Sequence, residues 1–256
     1  MNVVINPKYA YLRDWLAKIP SFFAEGGRII NKKRNIVKVF SIDGGLEVNI
    51  KKFHKPHPFN RIIYTFFRKS KAYRSYYNSL YIAEKGFNAA ESIAYIEILA
   101  GGLLSDSYYI SLQCSDSIEM RTYYSGPLPG NEPVIDSFAR YTANLHDAGI
   151  YHLDYSPGNI LIRYVGLKYD FVLVDVNRMK FMQVSNRSGC RNFARLFSDD
   201  AIYQRLAITY AQTRKQSFDK EAALRLMMKY KNRFLRKKAW KKHLRSYFNP
   251  SPKCLA

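Results

Sequence analysis

The chain has 256 residues, of which 47% are hydrophobic and 15% aromatic, so it contains enough apolar material for a folded core and global disorder is excluded. The formal net charge is +21, and it is unevenly distributed. Residues 28–74 and residues 214–245 each contain 13 Lys/Arg against 2 Asp/Glu, whereas residues 75–213 contain 11 against 14. This segregation favours a polyanionic partner, either nucleic acid or an anionic membrane or glycolipid surface. Two solvated basic faces that merely aid solubility are the alternative.

Cysteine usage and apolar stretches bear on the compartment. The three cysteines, Cys114, Cys190 and Cys254, are far apart and outside any Cys-x-x-Cys spacing, so neither a zinc site nor a disulfide framework is expected. The first fifteen residues lack the long apolar stretch of a signal peptide. The most apolar region, residues 93–104, is interrupted by Glu97, so no membrane-spanning helix is expected. We therefore expect a cytoplasmic protein, peripheral on the inner face of the cytoplasmic membrane.

The first 113 residues read as a small lobe rich in strands. Alternating apolar residues and glycine-containing turns predict five strands, near residues 28–31, 34–40, 46–53, 94–99 and 108–112. The turn between the second and third of these strands is predicted at Ser41-Ile42-Asp43-Gly44-Gly45. One helix is expected over residues 71–85, because Gly86 is the residue type that favours a helix C-terminus.

The remaining residues read as mainly helical. Val134, Phe138, Tyr141 and Leu145 recur on one face of a predicted helix that begins near Pro133 and ends near Gly149. A hairpin is expected over residues 159–164 and 170–176, and helix is expected beyond Gly189. The basic C-terminal helix, near residues 220–248, has an imperfect apolar stripe. It could pack on the helical lobe or lie on a lipid surface.

The segment His152-Leu153-Asp154-Tyr155-Ser156-Pro157-Gly158-Asn159 carries the strongest chemical pattern. A His-x-Asp-x-x-x-x-Asn loop that leads into one strand, with a second strand ending at Asp175, is typical of kinase-type phosphotransferases. In such a site Asp154 accepts the proton of the attacking hydroxyl, while Asn159 and Asp175 hold the metal ions that bridge the nucleotide phosphates. His152 is expected to brace the loop. The alternative is that Asp154 and Asn159 are ordinary turn and cap residues.

A lysine suited to phosphate binding lies on the third predicted strand. Val48-Asn49-Ile50-Lys51 matches the Val-Ala-Ile-Lys strand of kinases. Because side chains alternate along a strand, Val48 and Ile50 should face the core, and Lys51 rather than Lys52 should face a nucleotide. Any lysine on an exposed strand would also satisfy this match.

Several kinase features are absent or altered. No Gly-x-Gly-x-x-Gly is present, and a basic hairpin at residues 31–35 would cover the phosphates instead. The helix over 71–85 offers only Glu84, near its end, as a carboxylate partner for Lys51, because Tyr76 and Tyr77 occupy the middle. Ser156 stands where protein Ser/Thr kinases have a lysine. These departures disfavour a regulated protein kinase and favour a small-molecule or glycan kinase.

On these motifs the chain resembles the lipopolysaccharide core kinases, the Kdo and heptose kinases, which are a branch of the protein-kinase-like superfamily. The residues that carry the resemblance are Val48–Phe53, Arg68–Ser75, His152–Asn159, Asp175–Arg178 and Arg191–Leu196. The resemblance covers roughly residues 28–200 and implies a two-lobed α+β fold, which we expect to form a single domain over residues 1–256. Its parts are a small β-rich N-lobe (1–113), a mainly helical catalytic C-lobe (114–213) and a basic helical C-terminal part (214–256).

The resemblance also implies an activity, its cofactors and the roles of four residues. The expected reaction is phosphorylation of a sugar hydroxyl in the lipopolysaccharide inner core, Kdo or heptose, with ATP and Mg²⁺ at the membrane face. Asp154 is then the catalytic base, Asn159 and Asp175 the metal ligands, and Lys51 the phosphate-binding lysine. The missing mid-helix glutamate departs from this pattern and leaves the anchoring of Lys51 open.

Three other functions compete with this interpretation. An atypical protein kinase acting on a basic or ribosomal partner would share its chemistry, and a pseudokinase would retain only a binding role. Nucleic-acid binding through the two basic stretches is disfavoured, because no recognised motif or aromatic stacking array is present. The acceptor sugar and the oligomeric state stay open.

Overall fold

A computed structural model describes residues 1–32, 34–42 and 44–248. Lys33 and Asp43, each within a turn predicted above, lie outside the described residues, as do Cys254 and the end of the predicted C-terminal part. The chain forms two compact units. The first comprises Met1–Ser117 and Val172–Met179, and the second comprises Ile118–Phe171 and Lys180–Ala256.

The first unit is built on a six-stranded antiparallel sheet with the strand order β1-β6-β7-β4-β3-β2. The strands of this unit are β1 (Asn2–Ile5), β2 (Arg28–Lys32), β3 (Ile36–Ile42), β4 (Leu46–Phe53), β5 (Asn88–Ala89), β6 (Ser92–Ala100) and β7 (Leu103–Leu112). Each of the five predicted strands corresponds to a strand of this sheet. The sheet also has β1, an additional strand that pairs with β6.

Helices α1 (Arg13–Phe22), α2 (Pro58–Ile62) and α3 (Lys71–Glu84) complete the first unit. Leu16 and Ile19 of α1 pack in one core cluster with Val48 and Ile50 of β4. Phe53 lies in a second cluster, with residues of α3. Because side chains alternate along a strand, β4 contributes to a different core on each face of the sheet.

The second unit is mainly helical. Its helices are α4 (Glu132–Asp147), α5 (Asn186–Asn192), α6 (Asp200–Thr213) and α7 (Lys220–Phe248). Its strands are β8 (Ile118–Glu119), β9 (Ile150–His152) and β10 (Ile160–Val165). Two further strands, β11 (Lys168–Leu173) and β12 (Met179–Phe181), each contain a point in the sequence where one unit ends and the other begins. Helix α4 packs against α6, and α6 packs against α7. The predicted apolar face of α4 is present, with Val134, Phe138 and Leu145 buried and Tyr141 half-buried.

Strand β11 is shorter than the strand predicted over residues 170–176. It ends at Leu173, where Val172 and Leu173 pair in parallel with β5. Asp175, two residues later, has a φ of 55°, a conformation incompatible with a strand. Asp175 therefore lies in the segment after the strand rather than at its last position.

Helix α7 is packed only along its first part. Ala223 and Met227 are fully buried, and the amine of Lys231 donates to the backbone oxygen of Ser198 and pairs with Asp200. Residues 235–243 are exposed, and the Trp240 side chain is 62% exposed. Among the described residues, no helix combines the length and apolarity needed to cross a bilayer.

Candidate active site

Lys51 lies on the face of β4 opposite the α1 core. Val48 and Ile50 are fully buried among apolar side chains, as the alternation of the strand predicts. The Lys51 side chain is only 13% exposed, and its Nζ lies 2.5 Å from Oδ1 of Asp175. The same Nζ sits 5.3 Å from the centre of the Phe53 ring. The structure therefore brings together two of the four predicted site residues, Lys51 and Asp175, within the first unit.

The Asp175 segment holds an unusual backbone conformation. Among the described residues, Asp175 is the only non-glycine with a positive φ. Such a conformation costs free energy for an L-residue and clusters at functional sites. The Asn177 side-chain amide donates to the Asp175 carboxylate, and Val176 is buried. The two residues after Asp175 therefore provide a buried side chain, that of Val176, and a contact with the Asp175 carboxylate, from Asn177.

Helix α3 fixes this segment without a glutamate. The Asn78 side-chain amide donates to the backbone oxygen of Val176 at 2.7 Å. Tyr76, in the middle of the helix, is buried in the cluster that contains Phe53, whereas Glu84 is exposed near the helix end. The carboxylate partner of Lys51 is thus Asp175, and α3 contacts the Asp175 segment through an amide.

Positive charge accumulates near this ion pair. Burial lowers the pKa of the Lys71 ammonium, and the charges of Arg34, Arg74 and Lys51 lower it further, against the opposing effect of Asp175. Burial followed by neighbouring arginine charges also lowers the pKa of the Arg74 guanidinium. A cation whose pKa is depressed by other cations lies in a region of excess positive potential. This part of the first unit is therefore suited to bind a polyanion such as a nucleoside triphosphate.

In the second unit, the loop that carries Asp154 is held by its own backbone contacts. The loop follows β9 and leads through a short 3₁₀ turn at Pro157–Asn159 into β10. The Asp154 backbone N–H donates to Nδ1 of the fully buried His152 at 3.0 Å, so His152 braces the loop as predicted. The Asn159 side-chain amide donates to the Asp154 backbone oxygen at 2.9 Å. His152 and Asn159 thereby set the position of Asp154 from both sides.

A chain of buried hydrogen bonds supports this loop from behind. The Asn192 amide donates to the His152 oxygen at 2.9 Å, so its Oδ1 faces Nε2 of His146 at 3.1 Å and that nitrogen must be the donor. His146 Nδ1 is then an acceptor, and the Tyr210 hydroxyl donates to it at 2.9 Å. Arg214 donates to the Tyr210 oxygen at 2.5 Å. Burial lowers the pKa of His146 to about 4, so this imidazole is neutral at physiological pH.

Arg195 pairs with the candidate base. Its guanidinium donates to Oδ1 of Asp154, and both side chains are about one-third exposed. Arg195 comes from the 3₁₀ turn Phe193–Arg195 that follows α5, whereas Ser156 occupies the position of the lysine found in protein Ser/Thr kinases. A cation thus reaches Asp154 from another element of the second unit.

Sequence reasoning assigned no role to Asn78 or Arg195. Their contacts join residues 98 and 41 positions apart, so no local spacing points to them. One signal for Arg195 is the serine at position 156. If this loop works as in protein Ser/Thr kinases, which have a lysine there, the cation near Asp154 has to come from another part of the chain. No comparable signal marks Asn78.

The architecture has known counterparts. WaaP, a lipopolysaccharide core kinase solved in complex with acyl carrier protein, superposes with a TM-score of 0.58 at 14% sequence identity. The match covers 93% of this chain and 99% of that one. The chain has a protein-kinase-like fold. The Rio2 kinase–ADP/Mg²⁺-phosphoaspartate complex from Chaetomium thermophilum has a TM-score of 0.49 at 17% identity, covering 89% of this chain and 76% of that one.

No protein-family model matches the sequence, and no curated protein matches it either. The predicted fold class, a two-lobed α+β kinase-like fold with a β-rich first lobe and a mainly helical second, is confirmed. The resemblance to the lipopolysaccharide core kinases is confirmed at the level of the fold. The roles of Lys51, Asp154, Asn159 and Asp175 stay predictions.

Proposed function

We propose that this chain is an ATP-dependent kinase that phosphorylates a sugar hydroxyl of the lipopolysaccharide inner core, on Kdo or heptose. The observation that carries the proposal is the Lys51–Asp175 ion pair within a cluster of cations, with Asp175 in a left-handed conformation. A kinase needs both a cationic phosphate site and a metal-binding carboxylate. The first unit has a candidate for each.

In this proposal the first unit binds MgATP. Lys51 and Lys71 would contact phosphate oxygens, and the Asp175 carboxylate would be a metal ligand. Mg²⁺ in phosphotransferases is held by one or two carboxylates together with phosphates and water. The carboxylate of Asp175 in the first unit and the side-chain oxygen of Asn159 in the second are each a donor of the type that Mg²⁺ prefers, and each would be a ligand in this proposal. Bound Mg²⁺ neutralises charge on the transferred phosphoryl group.

The second unit supplies the base. Asp154 accepts the proton of the sugar hydroxyl as the hydroxyl oxygen attacks the γ-phosphorus and the bond to the β–γ bridging oxygen breaks. Arg195 orients the Asp154 carboxylate in the absence of substrate. We further propose that its guanidinium stabilises negative charge on the phosphoryl group during transfer, in place of the lysine that Ser156 replaces.

The acceptor and the location follow from the resemblance and the charge. A lipid-linked core oligosaccharide is presented at the inner face of the cytoplasmic membrane, which is anionic. The exposed part of α7 carries Arg236, Lys237, Lys238, Lys241 and Lys242, and cations near such a surface are attracted to it. We propose reversible peripheral binding there.

A pseudokinase is the second candidate, because both candidate carboxylates are already paired with cations, Asp175 with Lys51 and Asp154 with Arg195. A protein that uses these pairs only for stability would bind a nucleotide weakly or not at all.

The deciding experiment incubates the purified protein with labelled ATP, Mg²⁺ and lipopolysaccharide isolated from cells that lack the gene. The proposal predicts transfer of label to the oligosaccharide and none to a basic protein such as histone, which distinguishes a glycan kinase from an atypical protein kinase. Nucleotide binding is measured in parallel. No transfer together with no MgATP binding would favour the pseudokinase.

A further inference from the structure

A recess of about 590 Å³ lies beside the loop His152–Asn159, the proposed catalytic loop, and entirely within the second unit. This volume is within the usual range of small-molecule sites. Leu153 and Tyr155, the two neighbours of Asp154 in the sequence, contribute to its lining. Arg195, which pairs with Asp154, lines it as well. A ligand in this recess therefore contacts the loop of the proposed base and lies beside Arg195, the partner of Asp154.

The lining is strongly cationic. Its five charged side chains are all basic: Lys180, Arg191, Arg195, Arg233 and Lys237. No Asp or Glu belongs to the lining among the residues that the structure describes. Guanidinium and ammonium groups grouped in this way are suited to carboxylate or phosphate, and arginine can bind either group with two parallel hydrogen bonds.

Three tyrosines contribute to the lining of the recess. Tyr151, Tyr155 and Tyr230 are buried, while Leu153 and Met182 expose 42% and 40% of their surface at the edges. Aromatic and apolar surface can pack on the C–H face of a sugar ring. The combination fits an anionic sugar better than a bare inorganic anion.

Helix α7 forms one wall, and its position is fixed. Lys231 anchors the helix through Ser198 and Asp200, and Met227 is buried one turn before it. Arg233 and Lys237 follow at a spacing of four residues, so they lie on the same side of the helix. The second basic stretch of the sequence therefore contributes to a recess as well as to an exposed surface.

A second recess, of about 440 Å³, shares Arg195 and Phe234 with the first. It is lined by Ser156 and Pro157 of the catalytic loop and by the further cation Lys238. Arg195 thus lines both recesses. Helix α7 also contributes cations to each of them, Arg233 and Lys237 to the first and Lys238 to the second.

We propose that Arg233 and Lys237 bind a carboxylate or phosphate group on the acceptor oligosaccharide, and that the recess thereby positions the neighbouring sugar hydroxyl for phosphorylation. This inference rests on the proposed kinase function and adds the binding residues and charge of its substrate. It requires an anionic acceptor, whereas the proposed phosphoryl transfer alone does not.

The test compares two double variants of α7 that each remove two charges. Arg233→Gln/Lys237→Gln changes the recess, and the control Arg236→Gln/Lys242→Gln changes exposed residues of the same helix outside it. The probes are de-acylated lipopolysaccharide core oligosaccharide and the same material after dephosphorylation and carboxyl reduction. Binding is measured by calorimetry at low and at physiological salt, with MgATP binding measured separately.

We expect wild type to bind the anionic oligosaccharide at least about 10-fold more tightly than the neutral one, and the recess variant to lose about 10-fold or more of that affinity. The control should lose less than about 3-fold, and MgATP affinity should be equal in all three proteins. Equal losses in the two variants would reduce the effect to general attraction by a basic helix and overturn the proposal. Weaker MgATP binding in the recess variant alone would instead assign the recess to the nucleotide.

This experiment separates the two proposals, since oligosaccharide binding requires no phosphoryl transfer. If the recess variant selectively loses binding of the anionic oligosaccharide while wild type transfers no phosphate, the acceptor site is supported and the kinase activity is rejected. If the recess variant transfers phosphate with an unchanged KM for the acceptor, the kinase activity is supported and the acceptor site is rejected. Competition by short-chain phosphatidylglycerol at the same residues would show a lipid headgroup site and also overturn the acceptor assignment.

Discussion

The two units hold their candidate site residues by different physical means. In the first unit, Lys51 and Asp175 are held by an ion pair amid further cations. In the second unit, the backbone around Asp154 is held by buried hydrogen bonds through His152, Asn192 and the neutral His146. Charge pairs that are partly exposed respond to salt, whereas buried neutral hydrogen bonds do not. Both candidate carboxylates are thus paired with a cation, Asp175 with Lys51 and Asp154 with Arg195, but only the backbone around Asp154 is also held by a chain of buried hydrogen bonds.

The largest expected effects come from removing the two carboxylates. Asp154→Asn should lower kcat by roughly 10²–10⁴, because a general base contributes about that much. Asp175→Ala should cost at least as much, because it removes a metal ligand and leaves Lys51 without its carboxylate partner. Phosphate transfer to the oligosaccharide measures both, with circular dichroism to confirm folding. Wild-type turnover in either variant would remove that residue from the mechanism.

A pH effect on stability should follow from the second unit. The pKa of His146 is about 4 in the folded protein and 6.5 ordinarily, so the unfolded chain binds an extra proton between these values. Stability contributed by neutral His146 is therefore present above pH 6.5 and is lost as the pH falls toward 4, by up to about 3 kcal/mol. Urea unfolding of wild type and His146→Gln across this range measures it. Identical pH slopes in the two proteins would contradict the neutral-imidazole assignment.

Smaller, salt-dependent effects are expected in the first unit. Lys51→Ala should weaken MgATP binding about 10-fold, which corresponds to one charge-assisted hydrogen bond. Lys71→Gln should weaken it less, and both losses should shrink as salt rises, because the attraction is partly screened. Glu84→Gln is the matched control and should have no effect, since Glu84 is exposed and the partner of Lys51 is Asp175. Calorimetry at two salt concentrations gives the comparison, and a salt-independent loss would argue against an electrostatic phosphate site.

The smallest effects per residue concern the exposed part of α7. Each basic residue near an anionic surface contributes at most about 1 kcal/mol, screened beyond a Debye length of about 8 Å. Substituting Arg236, Lys241 and Lys242 by Gln should therefore reduce sedimentation with anionic vesicles at low salt and leave folding intact. Deleting α7 is the poorer variant, because Ala223 and Met227 belong to the buried core of the second unit. Equal sedimentation with neutral and anionic vesicles would exclude an electrostatic role.

Much of the fold follows from local patterns in the sequence. The alternation at Val48, Ile50 and Lys51 predicts which face of β4 is buried, and the spacing of apolar residues predicts α4. Helix α1 has a similar apolar spacing at Leu16, Ile19 and Phe23, but Pro20 lies inside it, and because proline disfavours a helix interior the two signals conflict. The packing of Leu16 and Ile19 against the sheet shows that the apolar spacing outweighs the proline.

The candidate site divides in the same way. Asp154, Asn159 and Asp175 are identified by their spacing, since the chemistry requires these residue types in a fixed order. The Lys51–Asp175 pair, Arg195 and Asn78 depend on contacts between residues distant in the sequence. Such contacts are decided by the packing of whole elements, so a single sequence carries no periodic trace of them.

The central claim is that the chain phosphorylates a core sugar, and mass spectrometry of glycolipid tests it most directly. Lipopolysaccharide is purified from cells with the gene, without it, and complemented with wild type or with Asp154→Asn. The account predicts that the core oligosaccharide loses one phosphate when the gene is absent, regains it with wild type, and does not regain it with Asp154→Asn. A core oligosaccharide of identical mass in all four samples would contradict it.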